Sequence, residues 1–466
     1  MNSAAKNISL TLVPASGDSL YAAQQKIYPR EIAGRFARLR LLVVFVLLGI
    51  FYTFPWLSWD GHQAVLFDLP ARKFYIFGLT FWPQDFFWLT WLLIIAALSL
   101  FFFTAVAGRL WCGYACPQTV WTEVFLWLER ISEGTRNQRI KLDAAPWTRE
   151  KLLRKSAKQS LWILFSLWTG FTFVGFFTPI VVLGHETVNA SLSGWETFWI
   201  VFYGFATYGN AGFLREQVCK YMCPYARFQT AMFDYDTLII SYDAVRGEPR
   251  GARKKSADAK SLGLGDCISC QACVQVCPTG IDIRDGMQIE CIACAACIDA
   301  CDDVMDKMQY PRGLIRYTTE NMLAGKPRRI VRPRTLVYAT LLAALLTTFA
   351  WGVAHRSPLI VEILRDRNAL YRETADAGIE NSYTIKLVNK TRVPQRLRLA
   401  VASGSPVLIV GNRDIDVSAG EVASVPLTLR ITRGALRGMS SITLTASAEG
   451  GIVANQTAQF FAPEVE

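Results

Sequence analysis

The chain has 466 residues, of which 52% are hydrophobic and only 19% charged, with a mean hydropathy of +0.24. That balance excludes a disordered chain and points to a membrane protein rather than a water-soluble one. The formal net charge of +11 would suit nucleic acid if it formed a basic face on a soluble fold. Here the charges bracket apolar segments instead, which speaks against nucleic acid as a partner.

In chain order, residues 1–40 form a basic segment carrying Arg30, Arg35, Arg38 and Arg40. Five apolar runs follow, at 41–59, 86–107, 160–183, 195–213 and 335–353, each close to the ~20 helical residues that span a bilayer core. The second and third contain no charged residue; the fourth is more polar, with Tyr203, Tyr208 and Asn210. Arg136, Arg139, Lys141, Arg149, Lys151, Arg154, Lys155 and Lys158 fill the connection between the second and third runs, and five Lys or Arg residues precede the fifth. By the positive-inside bias the N-terminus is expected in the cytoplasm and the region after the fifth span on the outer side. The long basic stretch before the first span reads against a cleavable signal peptide. The expected organisation is a cytoplasmic N-terminal segment (1–40), a four-span membrane domain (41–234), a cytoplasmic linker and cysteine-rich domain (235–333), a fifth transmembrane helix (334–356) and a periplasmic domain (357–466).

Within 41–234 the chain twice carries C-x3-C-P: Cys112 and Cys116, then Cys219 and Cys223. Each pair follows two apolar runs and an arginine, Arg109 or Arg215, which suggests a parallel internal repeat. Residues i and i+4 share a helix face, so each pair is expected to point one way. Three readings stay open: buried structural cysteines, a reversible disulfide, and a metal site whose soft thiolates suit Cu(I) or an iron–sulfur centre. A neighbouring arginine is expected to favour thiolate over thiol.

A basic connector containing "RGEPRGARKKSADAK" reads as a surface loop facing anionic lipid headgroups; without a strand-to-helix context its glycines are weak evidence for phosphate or flavin. It leads to Cys267, Cys270, Cys273 and Cys277, followed by Pro278, and then to a second run of the same spacing, Cys291, Cys294, Cys297 and Cys301. This is the bacterial ferredoxin pattern, in which the fourth cysteine of each run reaches across to the other cluster. The crossing assigns Cys267, Cys270, Cys273 and Cys301 to one 4Fe-4S cluster, and Cys277, Cys291, Cys294 and Cys297 to the other. Paired CxxC units also build zinc cages, but a doubled run fits two cubes better. Asp302 stands where the second run would carry a proline.

Beyond the fifth span, short alternating segments such as "SYTIKLVN", "QRLRLAVA" and "SITLTASA" predict six or seven strands in an immunoglobulin-like β-sandwich. His62, His185 and His355 fall near expected outer ends of spans, where a shared metal or haem site would need them. Met222 is the one methionine placed to serve as a copper ligand.

The motifs "CGYACPQTVWTEVF", "CKYMCPYARFQTAMFD", "RGEPRG" and "ACDDVMDKMQYPRGLIRYTTEN", in this order and followed by a span and a sandwich, resemble the CcoG/FixG/RdxA family of cbb-type cytochrome c oxidase accessory proteins. The resemblance implies an inner-membrane protein that reduces Cu(II) to Cu(I) for assembly of the oxidase copper centre. Cys112, Cys116, Cys219 and Cys223 would then bind copper or relay the electron. A quinol-coupled membrane ferredoxin, with a quinone head group held among the aromatic-rich spans, is the alternative; a non-redox copper chaperone is a third reading, which the clusters argue against. The sequence carries no nicotinamide or flavin fingerprint to identify the electron donor. If the two C-x3-C-P pairs meet within one chain a monomer suffices, whereas meeting across a two-fold axis requires a homodimer.

Overall fold

A computed structural model of the chain describes residues 26–256, 262–367, 369–375, 378–391, 393–401, 406–432, 439–448 and 451–463. Most of the basic segment read as 1–40, and part of the connector, lie outside the described residues. Among the described residues, three helices combine the length and composition needed to cross a bilayer: Arg35–Trp56, Pro83–Ala107 and Pro333–Ala354. Leu92, Leu93 and Phe103 on the second, and Val337 and Leu341 on the third, are exposed. Side chains this apolar on the outside of a helix need hydrocarbon rather than water as their solvent.

The run read as a span at 160–183 is not one helix. Arg149–Val174 ends at a turn, and Ile180–Val188 starts after Pro179. Proline cannot continue the backbone ladder, and Gln63 takes up the groups freed by the break: its Nε2 donates to the Gly175 carbonyl (2.7 Å) and its Oε1 accepts from the Ile180 N–H (2.9 Å). The fourth run is the helix Gly194–Thr207, continued by a π-helical turn at Tyr208–Leu214. Gly170 lets these neighbours approach closely, because a Cβ there would lie 2.2 Å from the Ile200 carbonyl oxygen, the small-residue contact common between membrane helices.

The chain divides into two compact units that cut across the linear boundaries expected from sequence. One comprises 1–48, 106–166 and 205–329, and so contains all twelve cysteines; the other comprises 49–105, 167–204 and 330–466.

In the first unit, strand Ile239–Tyr242 pairs antiparallel with Ile315–Thr318, from Ile239↔Thr318 to Tyr242↔Ile315. Between them lie both cysteine runs and the helix Ala296–Met308, packed on a core that includes Ile240, Ile283, Ile298, Met305 and Leu314. The extended residues before the first apolar helix dock here as well, with the Arg30 N–H donating to the Gln275 carbonyl (2.8 Å). Asp299 then caps the helix Arg35–Thr53, accepting from the N–H groups of Phe36 (3.2 Å) and Ala37 (2.7 Å), so that a carboxylate meets the positive end of the helix dipole.

The second unit contains the C-terminal sandwich. One sheet runs Leu408–Val410, Val422–Thr432, Gly378–Asn389, Leu359–Arg365, with Arg372–Glu373 also paired to Gly378–Asn389; the other runs Asp414–Val417, Gln395–Val401, Met439–Ala448, Val453–Phe461. Alternation decides which residues face inward: Ile379, Tyr383, Ile385 and Leu387 are buried, while Thr384 between them is exposed. The strand count exceeds the expected six or seven. Leu359–Arg365 follows the helix Pro333–Ala354 after only the four residues 355–358, and Asp414–Val417 is short and acidic. His62 packs at a tilt against Tyr75 (4.4 Å) and His355 stacks on Trp351 (4.8 Å), so both rings are engaged locally.

Buried Asn381 joins the two sheets: its Nδ2 donates to the Phe461 carbonyl (2.8 Å) and its Oδ1 accepts from the Phe461 N–H (3.0 Å). Asn381→Leu should therefore destabilise the sandwich by about 2 kcal/mol or more, because an unpaired buried group costs roughly 1–3 kcal/mol. Faster trypsin cleavage after the C-terminal arginines in the variant would register this, and an unchanged cleavage rate would refute it.

Candidate functional site

The two ferredoxin-like loops share one backbone design. Ser269 and Gln271 flank Cys270 with φ of 54° and 54°, and Ala293 and Ala295 flank Cys294 with φ of 55° and 61°. Left-handed backbone at four non-glycine residues is costly, and it persists where the surroundings demand it. Alternating left- and right-handed residues curl each loop into a concavity of inward amides, the geometry found around iron–sulfur clusters. Each loop then opens a helix, Ala272–Gln275 or Ala296–Met308.

The thiols sort into two groups. Cys277, Cys291, Cys294 and Cys297 line a single cavity with Cys273 and apolar neighbours such as Ile281 and Ile292. Cys301, at the end of the second run, interacts electrostatically with Cys273, Cys267 and Cys270. Cys273, expected with Cys301, also lines the cavity of the other group; the eight thiols and the loop geometry fit two 4Fe-4S clusters. Among the described residues no three His, Cys, Asp or Glu side chains converge closely enough to hold a single metal ion; a cube spreads its four sulfurs wider than one ion does.

Burial pushes the thiols of Cys291 and Cys301 up to about 12 and that of Cys273 to about 11, so cluster loading must displace protons. The Thr279 hydroxyl lies 3.3 Å from the Cys277 sulfur, and Arg40 Nη1 (3.3 Å) and Tyr317 Oη (2.6 Å) donate to the carbonyls of Cys294 and Ala293. Such outer partners orient ligands. Asp302, in the proline's place, accepts from the Gly313 N–H (2.9 Å) and ties the helix Ala296–Met308 to the returning chain.

"RGEPRG" serves packing. The Gly247 carbonyl accepts from the Cys267 N–H (3.4 Å), and the Gly251 N–H donates to the Cys267 carbonyl (3.2 Å). A Cβ on Gly247 would overlap the Tyr242 hydroxyl at 2.1 Å. These glycines clasp the entry to the first loop.

The C-x3-C-P pairs share a local design that differs from the single helix face expected. Cys112 lies in the short helix Leu110–Tyr114, whereas Cys116 is extended (φ −62°, ψ 129°) and precedes the helix Pro117–Glu133. Cys219 likewise lies in the π-helical turn Val218–Met222, while Cys223 is extended (φ −79°, ψ 110°) before the helix Pro224–Ala231. The proline causes both breaks: it pushes the residue before it out of helical backbone and suits the first position of the next helix.

The four cysteines of the two pairs are neighbours within one chain: Cys112 and Cys219 interact electrostatically, as do Cys116 and Cys223, and Cys116 and Cys219. Burial pushes Cys112 up to about 12 and Cys219 to about 11, and Arg109, which acts in the opposite direction on both, is outweighed. The expected thiolate therefore does not follow from the neighbouring arginine. Arg215 is engaged elsewhere, paired with Glu129 (2.9 Å) and set over Trp162.

Gly113, between the first two cysteines, brings this pair against the second ferredoxin loop. A Cβ there would lie 2.6 Å from the Ile292 carbonyl oxygen and 2.9 Å from the Cys294 nitrogen. Cys112 packs on the apolar cluster containing Cys294, and its thiol lies 3.4 Å from the Gln229 Oε1. Sequence reasoning fixed on the cysteines and passed over Gly113, Gln229 and Asp299. The glycine inside "CGYAC" was the one local signal available.

A chain with bilayer-length apolar helices and a doubled ferredoxin-type thiol site is a membrane iron–sulfur redox protein. It matches the 4Fe-4S binding domain family at 85–133 and the 4Fe-4S dicluster domain family at 214–320, each including one C-x3-C-P pair, and the IG-like fold at the C-terminus of FixG at 349–463. The chain belongs to the FixG/RdxA family. It is 41% identical to protein RdxA of Cereibacter sphaeroides, over 89% of this chain and 91% of that protein. It is 40% identical to the nitrogen fixation protein FixG of Rhizobium meliloti, over 82% of this chain and 80% of that one. A crystal structure of a FixG-related protein from Vibrio parahaemolyticus aligns with 22% of this chain and 96% of its own, at 27% identity and a TM-score of 0.21.

Proposed function

We propose that the protein is a cupric reductase, supplying Cu(I) for the copper centre of a cbb-type cytochrome c oxidase and working with that enzyme's assembly machinery. The observation that carries this reading is the contact at Gly113, where a soft-ligand cysteine pair lies against the loop of Cys294. Cys267, Cys270, Cys273 and Cys301 would hold one cluster, and Cys277, Cys291, Cys294 and Cys297 the other. Bound there, 4Fe-4S clusters supply one-electron transfer. Cys112, Cys116, Cys219 and Cys223 receive the copper substrate. Their thiols lose protons on binding it, and sulfur ligation favours the Cu(I) product.

The pairs meet within one chain, so a monomer suffices for this site. In this reading the chain crosses the inner membrane five times, the third crossing being the broken helix at 149–188. The N-terminus and thiol sites then face the cytoplasm, and the sandwich from about 357 faces the periplasm.

The test is an anaerobic single turnover. Reduced protein, freed of reductant, is mixed with Cu(II) while cluster oxidation and chelator-trapped Cu(I) are followed together. Cu(I) should appear in step with oxidation, and Cys112→Ser and Cys219→Ser should slow it at least tenfold while iron and sulfide contents stay constant. Clusters that remain reduced beside Cu(II) would remove copper as the acceptor.

A further inference from the structure

A second cavity in the cysteine-bearing unit has no part in the copper reading. It measures about 190 Å³, smaller than the roughly 300–1,000 Å³ of sites for drug-sized ligands and suited to one substituted ring. Phe233, Leu238, Ile239 and Ile289 give it apolar walls. Ile240, Ile283 and Cys291 line both this cavity and the one formed by Cys277, Cys291, Cys294 and Cys297. A ring bound here is therefore one layer of side chains away from that thiol set.

Arg109 also lines the cavity and is only 5% exposed. Its Nη1 donates to the Ile289 carbonyl and its Nη2 to the Ala226 carbonyl, while its Nε–H has no acceptor among the described residues. A buried cationic N–H without a partner is costly, so the wall offers a donor to a ligand oxygen. An apolar slot with one buried donor selects a flat ring bearing a carbonyl or hydroxyl.

The surroundings indicate the phase from which such a ligand comes. The Leu238 N–H reaches the carbonyl of Val106 (3.4 Å), in the last turn of the apolar helix Phe86–Ala107. Met287 and Ile289 are 55% and 62% exposed. An apolar rim beside the end of a bilayer-length helix meets lipid more favourably than water.

We propose that this cavity binds the head group of a membrane quinone or quinol, with one ring oxygen accepting from Arg109 Nε. The proposal concerns binding alone and is independent of whether copper is a substrate. Its test uses the cluster-loaded full chain in lipid nanodiscs without copper and reads covalent labelling instead of turnover. A photoreactive azido-quinone with a short isoprenoid tail is irradiated with the protein, and labelled peptides are mapped by mass spectrometry.

Saturable labelling is expected within 233–240 or 287–291, competed by unmodified quinone. Met287→Trp and Ile289→Trp, which block the mouth from exposed positions, should each lower it at least tenfold with iron content unchanged. Two variants are used so that misfolding of one leaves the other informative. Label that fails to saturate, maps to the apolar helices, or survives the blocking tryptophan overturns the assignment.

Discussion

Glu129→Gln is expected to lower the membrane yield of folded protein several-fold and to destabilise what remains by about 3–5 kcal/mol, the usual cost of removing one partner from a buried ion pair. Glu129 is fully buried, with its Oε2 2.9 Å from Arg215 and 3.2 Å from Arg139 and its Oε1 within 4.0 Å of Lys26 and Lys158. Neighbouring Glu133, equally buried, pairs with Lys155 and Lys158 at 2.9 Å each. With Asp143, which pairs with Lys26 and Lys155, three carboxylates share five cations, and the glutamine would remove the carboxylate that pairs with buried Arg215 and Arg139.

Burial alone would raise the Glu129 carboxyl pKa, but Arg215, Arg139 and Lys158 outweigh it and hold it below the ordinary value. A carboxyl depressed in the folded state contributes stability that is fully present above its unfolded pKa of about 4.3. That contribution disappears as pH falls through the lower folded pKa. Thermal denaturation in detergent between pH 7 and pH 2 should accordingly show a wild-type excess over Glu129→Gln that holds down to about pH 4 and shrinks below it. A constant difference across the range would show that the carboxylate charge is not what the network uses.

The second large effect concerns Gly113. Gly113→Val places a branched side chain where even a Cβ would lie 2.6 Å from the Ile292 carbonyl oxygen and 2.9 Å from the Cys294 backbone. The obstacle is main chain on both sides, so rotamer changes cannot relieve it. Overpacking costs of roughly 1–3 kcal/mol would fall on the loop that positions Cys291, Cys294 and Cys297. The expected result is selective loss of one cluster: iron content near half the wild-type value, with the group of Cys267, Cys270, Cys273 and Cys301 still loaded. Full occupancy of both clusters, measured by iron analysis and electron paramagnetic resonance, would mean that the contact at Gly113 does not exist in solution.

These two residues mark the limits of what the sequence made legible. Cysteine spacing is local and chemically constrained, so the doubled run was readable without a structure. Apolar runs were readable for the same reason, although the break at Pro179 had its own signal in "GFFTP". The left-handed backbone at Ser269, Gln271, Ala293 and Ala295 was not, because none of these is a glycine and nothing local asks for that conformation. Long-range electrostatics were hidden too. Arg109 and Arg215 sit beside their cysteines in sequence, and the structure uses them for carbonyls and for Glu129. In the sandwich, alternation identified the long strands; Asp414–Val417 alternates too, burying Ile415 and Val417, but four residues are too few to stand out from a polar loop.

The capping of the helix Arg35–Thr53 by Asp299 bears on how the protein is made. The carboxylate and the N–H of Phe36 are 263 residues apart. At the ~5–20 residues per second of bacterial and eukaryotic synthesis, the first apolar helix would enter the membrane tens of seconds before the aspartate that finishes its N-terminus leaves the ribosome. For that interval the helix is a provisional insertion, its first turn satisfied by water or lipid headgroups. Its final seating then waits on the folding of the segment that carries the second cysteine run, so that metal loading and membrane integration are steps of a single maturation sequence.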